Sequence, residues 1–290
     1  MQACNHHRPE DFVPFWVADQ ALGRLRPELA QRLLDWPQVF VTAGAGIGLH
    51  PRLIDYASRS QAVAEVLQSL AESGEQAPLL GEPYPVTAQH RHQALLEIDR
   101  SAASLFGLQT FGQHLNGYVR DGKELLMWIG RRAADRHLFP GKLDQMVAGG
   151  LPAGLSTEDN LRKECHEEAG IKPELAAQAR PVGLVSYNLD TKKGYKYDIL
   201  YCYDLALPKD FHPVCTDGEV AEFILLPLTE VADILLETDD FKPNCALVII
   251  DFFLRQGLIG PDHPEYLRLN LGLRPAMSPL AMASRADTNT

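Results

Sequence analysis

Apolar residues recur at two spacings along the chain, and the change of spacing divides it. Across Ser58–Glu72, Val63, Val66, Leu67 and Leu70 fall three and four residues apart, which places them on one helical face. His90–Leu108 carries a similar stripe at Leu95, Ile98, Ala102, Leu105 and Phe106, and the spacing predicts a second helix. Pro27–Trp36 reads as a short amphipathic helix and Val39–Thr42 as a strand. The latter runs into Ala43-Gly-Ala-Gly-Ile-Gly-Leu-His-Pro. Its G-x-G-x-G spacing, with Pro51 where a long helix should run, fits a turn between short strands better than a dinucleotide-binding loop. Gly74–Pro85 reads as a loop. Residues 1–110 are therefore expected to be mainly helical, an α+β extension with one hairpin.

Beyond residue 110 the strand spacing takes over. Phe111–Tyr118 and Leu125–Gly130 flank Asp121-Gly122, a strong hairpin signal. Pro181–Tyr187 and Asp198–Leu205 read as strands around the polar turn Leu189–Gly194, and Ala221–Leu226 as a further strand. Pro227–Leu236 and Cys245–Gln256 return to helical spacing, followed by a Tyr- and Leu-bearing segment, Asp262–Leu273. From Arg274 the composition turns to Ala, Ser, Met and Pro without period, so 274–290 is expected to be a flexible tail.

Between these strands lies Gly149–Ile171, GGLPAGLSTEDNLRKECHEEAGI. Ser156 and Thr157 are helix-capping candidates, Glu158 and Asp159 suit the positive end of a helix, and Gly170 can stop it. Leu161, Cys165 and Ala169 share one face. Glu164, Glu167 and Glu168 stand at i, i+3 and i+4, so their carboxylates share a face as well. Two carboxylates about 5 Å apart repel by roughly 3 kcal/mol at an effective dielectric of about 20. A solvated helix tolerates that repulsion; a hard divalent cation with oxygen ligands turns it into attraction.

Composition narrows the classes. With 290 residues, 46% of them hydrophobic, the chain is long enough for one large domain or two ordinary ones. A net charge of -11 argues against broad nucleic-acid binding. Cys4, Cys165, Cys202, Cys215 and Cys245 are scattered and never spaced C-x-x-C, which predicts a reducing cytoplasm rather than a disulfide framework. MQACNHHRPEDF lacks the apolar run of a signal peptide, and no stretch reaches the ~20 apolar residues of a membrane span.

The stretch resembles the Nudix box, G-x5-E-x7-R-E-U-x-E-E-x-G-U with U apolar. Gly149, Glu164, Cys165, Glu167, Glu168, Gly170 and Ile171 match it. Leu155 stands where the early Glu belongs, and Lys163 replaces the Arg. Lys keeps the charge but not the planar fork. The resemblance implies an α/β fold, a mixed sheet sandwiched between helices. It would occupy residues 111–273 after the smaller N-terminal domain. It implies Mg²⁺ or Mn²⁺ held by Glu164, Glu167 and Glu168, with a backbone carbonyl from the loop at Ala148-Gly149. Lys163 would orient a box glutamate. Glu167, Glu219 and Glu222 are candidates for the base that takes a proton from water, the last two because the family often supplies a glutamate from outside the box. Arg131, Arg132, Arg136, His137 and Lys142, a cationic cluster before the box, are candidates for phosphate contact.

The extension, PGKLDQMVAGGLPAG and FKPNCALVIIDFFLRQGLI together resemble the Nudix subgroup related to thiamine pyrophosphokinase proteins. That subgroup removes phosphate from thiamine diphosphate and, preferentially, its oxidised derivatives. The partner implied is a small-molecule diphosphate, and Trp16 and Trp128, with Phe15 and Trp36, are candidates for an aromatic wall against its ring. Three other readings stay open: a Nudix-fold binding module without turnover, a pyrophosphatase of nucleoside diphosphate derivatives, and a prenyl diphosphate isomerase. The spacing leaves monomer and homodimer open.

Overall fold

A computed structural model describes residues 2–87 and 90–275. The expectation for the tail therefore lies, apart from Arg274 and Pro275, outside the described residues.

The N-terminal region begins with β1 (Asn5–His6), β2 (Val13–Val17), β3 (Gln20–Leu25) and α1 (Pro27–Leu33). It continues through β4 (Phe40–Ala43), β5 (Gly46–Leu49) and α2 (Tyr56–Glu72), then β6 (Pro83–Val86), β7 (Leu96–Asp99) and α3 (Arg100–Ala103). Strands β3-β2-β5-β4 form a sheet, and β6 and β7 pair as a hairpin. Phe15, Phe40, Leu67, Leu70, Leu96 and Phe106 pack in one core between these elements.

The region thus holds more strand than the pattern predicts. The glycines after β4 form the expected turn: Gly44 is left-handed, and a Cβ on Gly46 would lie 2.0 Å from the Pro14 carbonyl oxygen. The expected helix over His90–Leu108 is not there. Leu96 and Ile98 are buried on one side of β7, and Asp99 caps α3 through the Ser101 amide. Period two and period 3.6 cannot be told apart over so short a run, and pairing with β6 decides it. Pro83 and Pro85 are tolerated in a two-stranded ribbon, whose outer edges need no amide.

The second part contains β8 (Gln109–Asp121), β9 (Glu124–Arg132), β10 (Leu143–Gln145) and β11 (Val147–Gly150). Helices α4 (Thr157–Ala169) and α5 (Pro173–Ala176) follow, then β12 (Arg180–Thr191), β13 (Gly194–Ala206) and β14 (Val220–Pro227). Helices α6 (Leu228–Glu237), α7 (Pro243–Arg255) and α8 (Tyr266–Gly272) complete the described chain. The sheet runs β1-β12-β13-β8-β9-β10, with β11 on β8 and β14 on β9. It is mixed: β1 is parallel to β12 and β13 to β8, and the other pairs are antiparallel. The strands alternate faces. Leu115 and Val119 of β8 pack with Leu161 and Cys165 of α4. Tyr118 of β8 and Ile129 of β9 pack with Ile249 and Phe252 of α7. The expected sandwich of helices on both faces of a mixed sheet is what forms. Gly122 takes a left-handed φ of 61° in the turn from β8 to β9.

Candidate active site

Helix α4 is held from both ends and along its buried face. Ser156 Oγ accepts from the Asp159 amide at its start, and Gly170 closes it with φ 63°. Leu161, Cys165 and Ala169 are buried against the sheet, as their spacing predicts. Asn160, also buried, donates to Gln113 Oε1 of β8 at 2.8 Å and to the Gly150 carbonyl of β11 at 2.9 Å. Gln113 in turn donates to the Thr157 carbonyl at 2.7 Å. This pair of amides, which sequence reasoning missed, ties the first turn of α4 to two strands. Nothing in the spacing of two ordinary amides signals it.

The acidic face then meets β11. Glu168 is 6% exposed, and its Oε2 accepts from the Ala148 amide at 2.7 Å. Burial, with the negative charges of Asp144, Glu164 and Glu219 nearby, pushes its carboxyl up to about 8. Glu164 is raised too, first by burial, and partly offset by Lys163. A Cβ on Gly149 would lie 2.5 Å from the Glu164 carboxyl carbon, so only glycine lets that carboxylate lie against the strand. Ala148 and Gly149 are within β11, not in a loop as expected. Lys163 Nζ lies 3.4 Å from Glu164 and 2.8 Å from Glu167, so an ammonium bridges two of the box carboxylates.

A hard cation fits this set. The donors are oxygens, Glu164 and Glu168 are raised by burial, and a lysine ammonium is already drawn to Glu164 and Glu167. Among the described residues, however, it is His114, Asp144 and Cys245 whose ligand atoms gather within 4.8 Å. That buried group is already neutralised: Lys242 Nζ lies 2.7 Å and Arg132 Nη1 3.1 Å from Asp144 Oδ2, and Cys245 donates to Oδ1. With two cations on one carboxylate, it reads as a structural polar core.

The remaining candidates separate. Glu219 pairs with Arg136 at 2.7 Å, and its charge bears on both Glu164 and Glu168. Glu222 is more exposed and pairs with Arg131 at 2.6 Å. An irregularity in the β14–β9 register between Val220 and Glu222 separates the two. Arg132 is held by Asp144 and the Leu138 carbonyl, and Lys142 donates to the Asp239 carbonyl. The cations before the box are thus largely partnered. The aromatic wall is a correction. Trp16 is buried with Ala21 and Ala43 in the N-terminal sheet, and Trp128 is buried among the side chains under α4. Phe15 is buried as well, and Trp36 lies under the Arg32 guanidinium. Large indoles there gain more from burial than from an exposed face. Where the spacing predicts the start of a helix, His92 lies in a 3₁₀ turn that His90 caps, and their rings are 5.1 Å apart.

Fold and site together define a Nudix domain, an α/β/α sandwich whose box helix carries an acidic face. The NUDIX domain family matches residues 114–246, and a family described as a domain of unknown function (DUF4743) matches residues 1–110. Nudix hydrolase 24, chloroplastic, of Arabidopsis thaliana is 43% identical over 267 residues, covering 91% of this chain and 73% of that protein. Nudix hydrolase 20, chloroplastic, of the same plant is 40% identical over 274 residues, with the same coverage of 91% and 73%. The crystal structure of DR0079 from Deinococcus radiodurans is 20% identical, covers 58% of this chain and 97% of that one, and has a TM-score of 0.43. The chain belongs to the Nudix hydrolases, and it is a hydrolase of the pyrophosphatase type. Among the described residues no helix is long and apolar enough to cross a membrane.

Proposed function

We propose that the chain is a Mg²⁺-dependent diphosphatase that cleaves a diphosphate linkage in a small molecule. The observation that carries this reading is the pair Glu164 and Glu168, pressed against β11 with Gly149 as the cradle. Carboxylates raised by burial beside like charges are held at a cost that a divalent cation offsets. Glu164, Glu167 and Glu168 would hold the ion. Bound there, a divalent ion such as Mg²⁺ would supply positive charge to offset the diphosphate and to polarise its oxygens and a nearby water.

The chain's own groups do the rest. Lys163 lies between Glu164 and Glu167 and sets their directions. Glu219 is favoured over Glu222 as the carboxylate that takes the water's proton, because its charge reaches the box carboxylates. Arg131, less enclosed than Arg132, is the best placed cation for a substrate phosphate. The substrate class, thiamine diphosphate and its oxidised derivatives, follows from the subgroup resemblance. The reducing cytoplasm follows from the cysteine pattern, whereas the two plant relatives carry chloroplastic names.

The test is turnover with Mg²⁺ against thiamine diphosphate, its oxidised forms, ADP-ribose and nucleoside diphosphates, with products read by mass spectrometry. A thiamine monophosphate product, lost in Glu168→Gln, is expected. Cleavage of nucleotides alone would discard the thiamine assignment, and binding without turnover would discard the diphosphatase.

A further inference from the structure

The loop from Leu151 to Ser156 connects β11, which carries Gly149, to α4, which carries the acidic face. It has little structure of its own, and Gly154 within it has φ 80°. Ordering such a segment costs about 1–2 kcal/mol per residue in backbone entropy. Leu155, at the place of the box's early Glu, is 37% exposed and offers no polar side-chain atom to hold the loop.

The N-terminal region supplies the missing restraint. Arg91 Nη1 donates to the Leu155 carbonyl at 3.2 Å, and Nη2 to those of Pro152 at 2.5 Å and Leu151 at 3.5 Å. One planar guanidinium thus reaches three carbonyls of one loop from two nitrogens of a rigid fork, a spread that the single nitrogen of a lysine does not reproduce. Its carbon lies 5.9 Å from the centroid of the Phe111 ring on β8, so it is seated on the sheet as well. Two neighbouring contacts reinforce it. The Ala153 amide donates to the Pro83 carbonyl of β6 at 2.7 Å. Tyr84 Oη lies 1.8 Å from where a Cβ on Gly150 would be, so β6 rests directly on the end of β11.

We propose that Arg91 is a positioning residue for the hydrolase. By holding the carbonyls of Leu151, Pro152 and Leu155, it fixes how α4 leaves β11. It thereby fixes where Glu164 and Glu168 stand relative to Gly149 and Ala148. The N-terminal region is on this view part of the active site, acting through the loop rather than by touching substrate. The inference rests on the hydrolase reading of the box.

The test uses the full chain with Arg91→Met and Arg91→Lys. Three quantities are measured: hydrogen exchange of the amides across 151–156, Mn²⁺ affinity by electron paramagnetic resonance, and kcat and KM. In Arg91→Met, kcat should fall about 10- to 100-fold with KM little changed. The Mn²⁺ dissociation constant should rise about 10-fold, as it does when groups orienting metal ligands are lost. Exchange in the loop should quicken, with Arg91→Lys between Met and wild type. A variant with lowered thermal stability but unchanged Mn²⁺ affinity and kcat would overturn the proposal and leave Arg91 a structural residue. If wild type turns over no diphosphate, the function fails separately, and a weaker Mn²⁺ affinity with a loosened loop still supports Arg91. A wild-type chain that binds no Mn²⁺ removes both.

Discussion

His114 shows how one residue's surroundings set its chemistry. It is buried on strand β8 with Nδ1 2.6 Å from Gln145 Oε1, and burial, then Lys242, hold its imidazole down to about 4. The unfolded chain takes up a proton near pH 6.5, and the folded one only near 4. Stability is therefore full above pH 6.5 and is lost as pH falls towards 4, by up to about 3 kcal/mol. Asp144, held down to about 2 by Lys242, His114 and Cys245 despite its burial, loses its contribution only below about 3.8. The two windows barely overlap. Urea unfolding at pH 7 and 4.5 should show a drop in wild type that His114→Asn lacks; an equal drop in both would refute the assignment.

At the scale of elements, the site is an approach of a helix to a strand. The contact between α4 and β11 leaves no room for a side chain at Gly149, where a Cβ would meet the Glu164 carboxyl group. That group is the far end of a flexible side chain, so Gly149→Ala should displace it at little cost to the fold. The expected outcome is a kcat about 100-fold lower, with the thermal midpoint nearly unchanged. Steady-state kinetics beside differential scanning calorimetry would decide it: a large loss of stability, or retained kcat, would mean that Glu164 does not need this place. Asn160 and Gln113 are the matching device at the helix start, where paired amides rather than charges set the crossing.

Across the whole molecule, the two segments matched by separate families are joined. β1 pairs in parallel with β12 at Asn5↔Asn188, and Cys4 lies in the core with Val185, Leu247 and Val248. Arg26 donates to the Thr191 carbonyl at 3.1 Å, and Phe12 packs edge-on against Tyr195 at 5.7 Å. With β6 resting on β11 as well, neither part can lose its structure without exposing the other's. Calorimetry of the full chain should give one unfolding transition whose calorimetric and van't Hoff enthalpies agree. Two resolved transitions would show that these contacts are too weak to couple the parts.

The sequence by itself determined the elements whose causes are local. Helix α4 from Ser156 to Gly170, the turn at Gly122 and the buried stripe Leu161, Cys165 and Ala169 follow from caps, glycine φ and period. So did the presence of the acidic trio. Tertiary structure decided what depends on partners distant in the chain. It made β7 a strand, because β6 offered a pairing edge over a run too short to show its period. It paired Glu219 with Arg136 and Glu222 with Arg131, on either side of an irregularity in register that is invisible in composition. It buried Trp16 and Trp128, whose large apolar surfaces serve packing as readily as binding. It also brought Arg91 onto the box loop, some sixty residues further along the chain, where no spacing rule reaches.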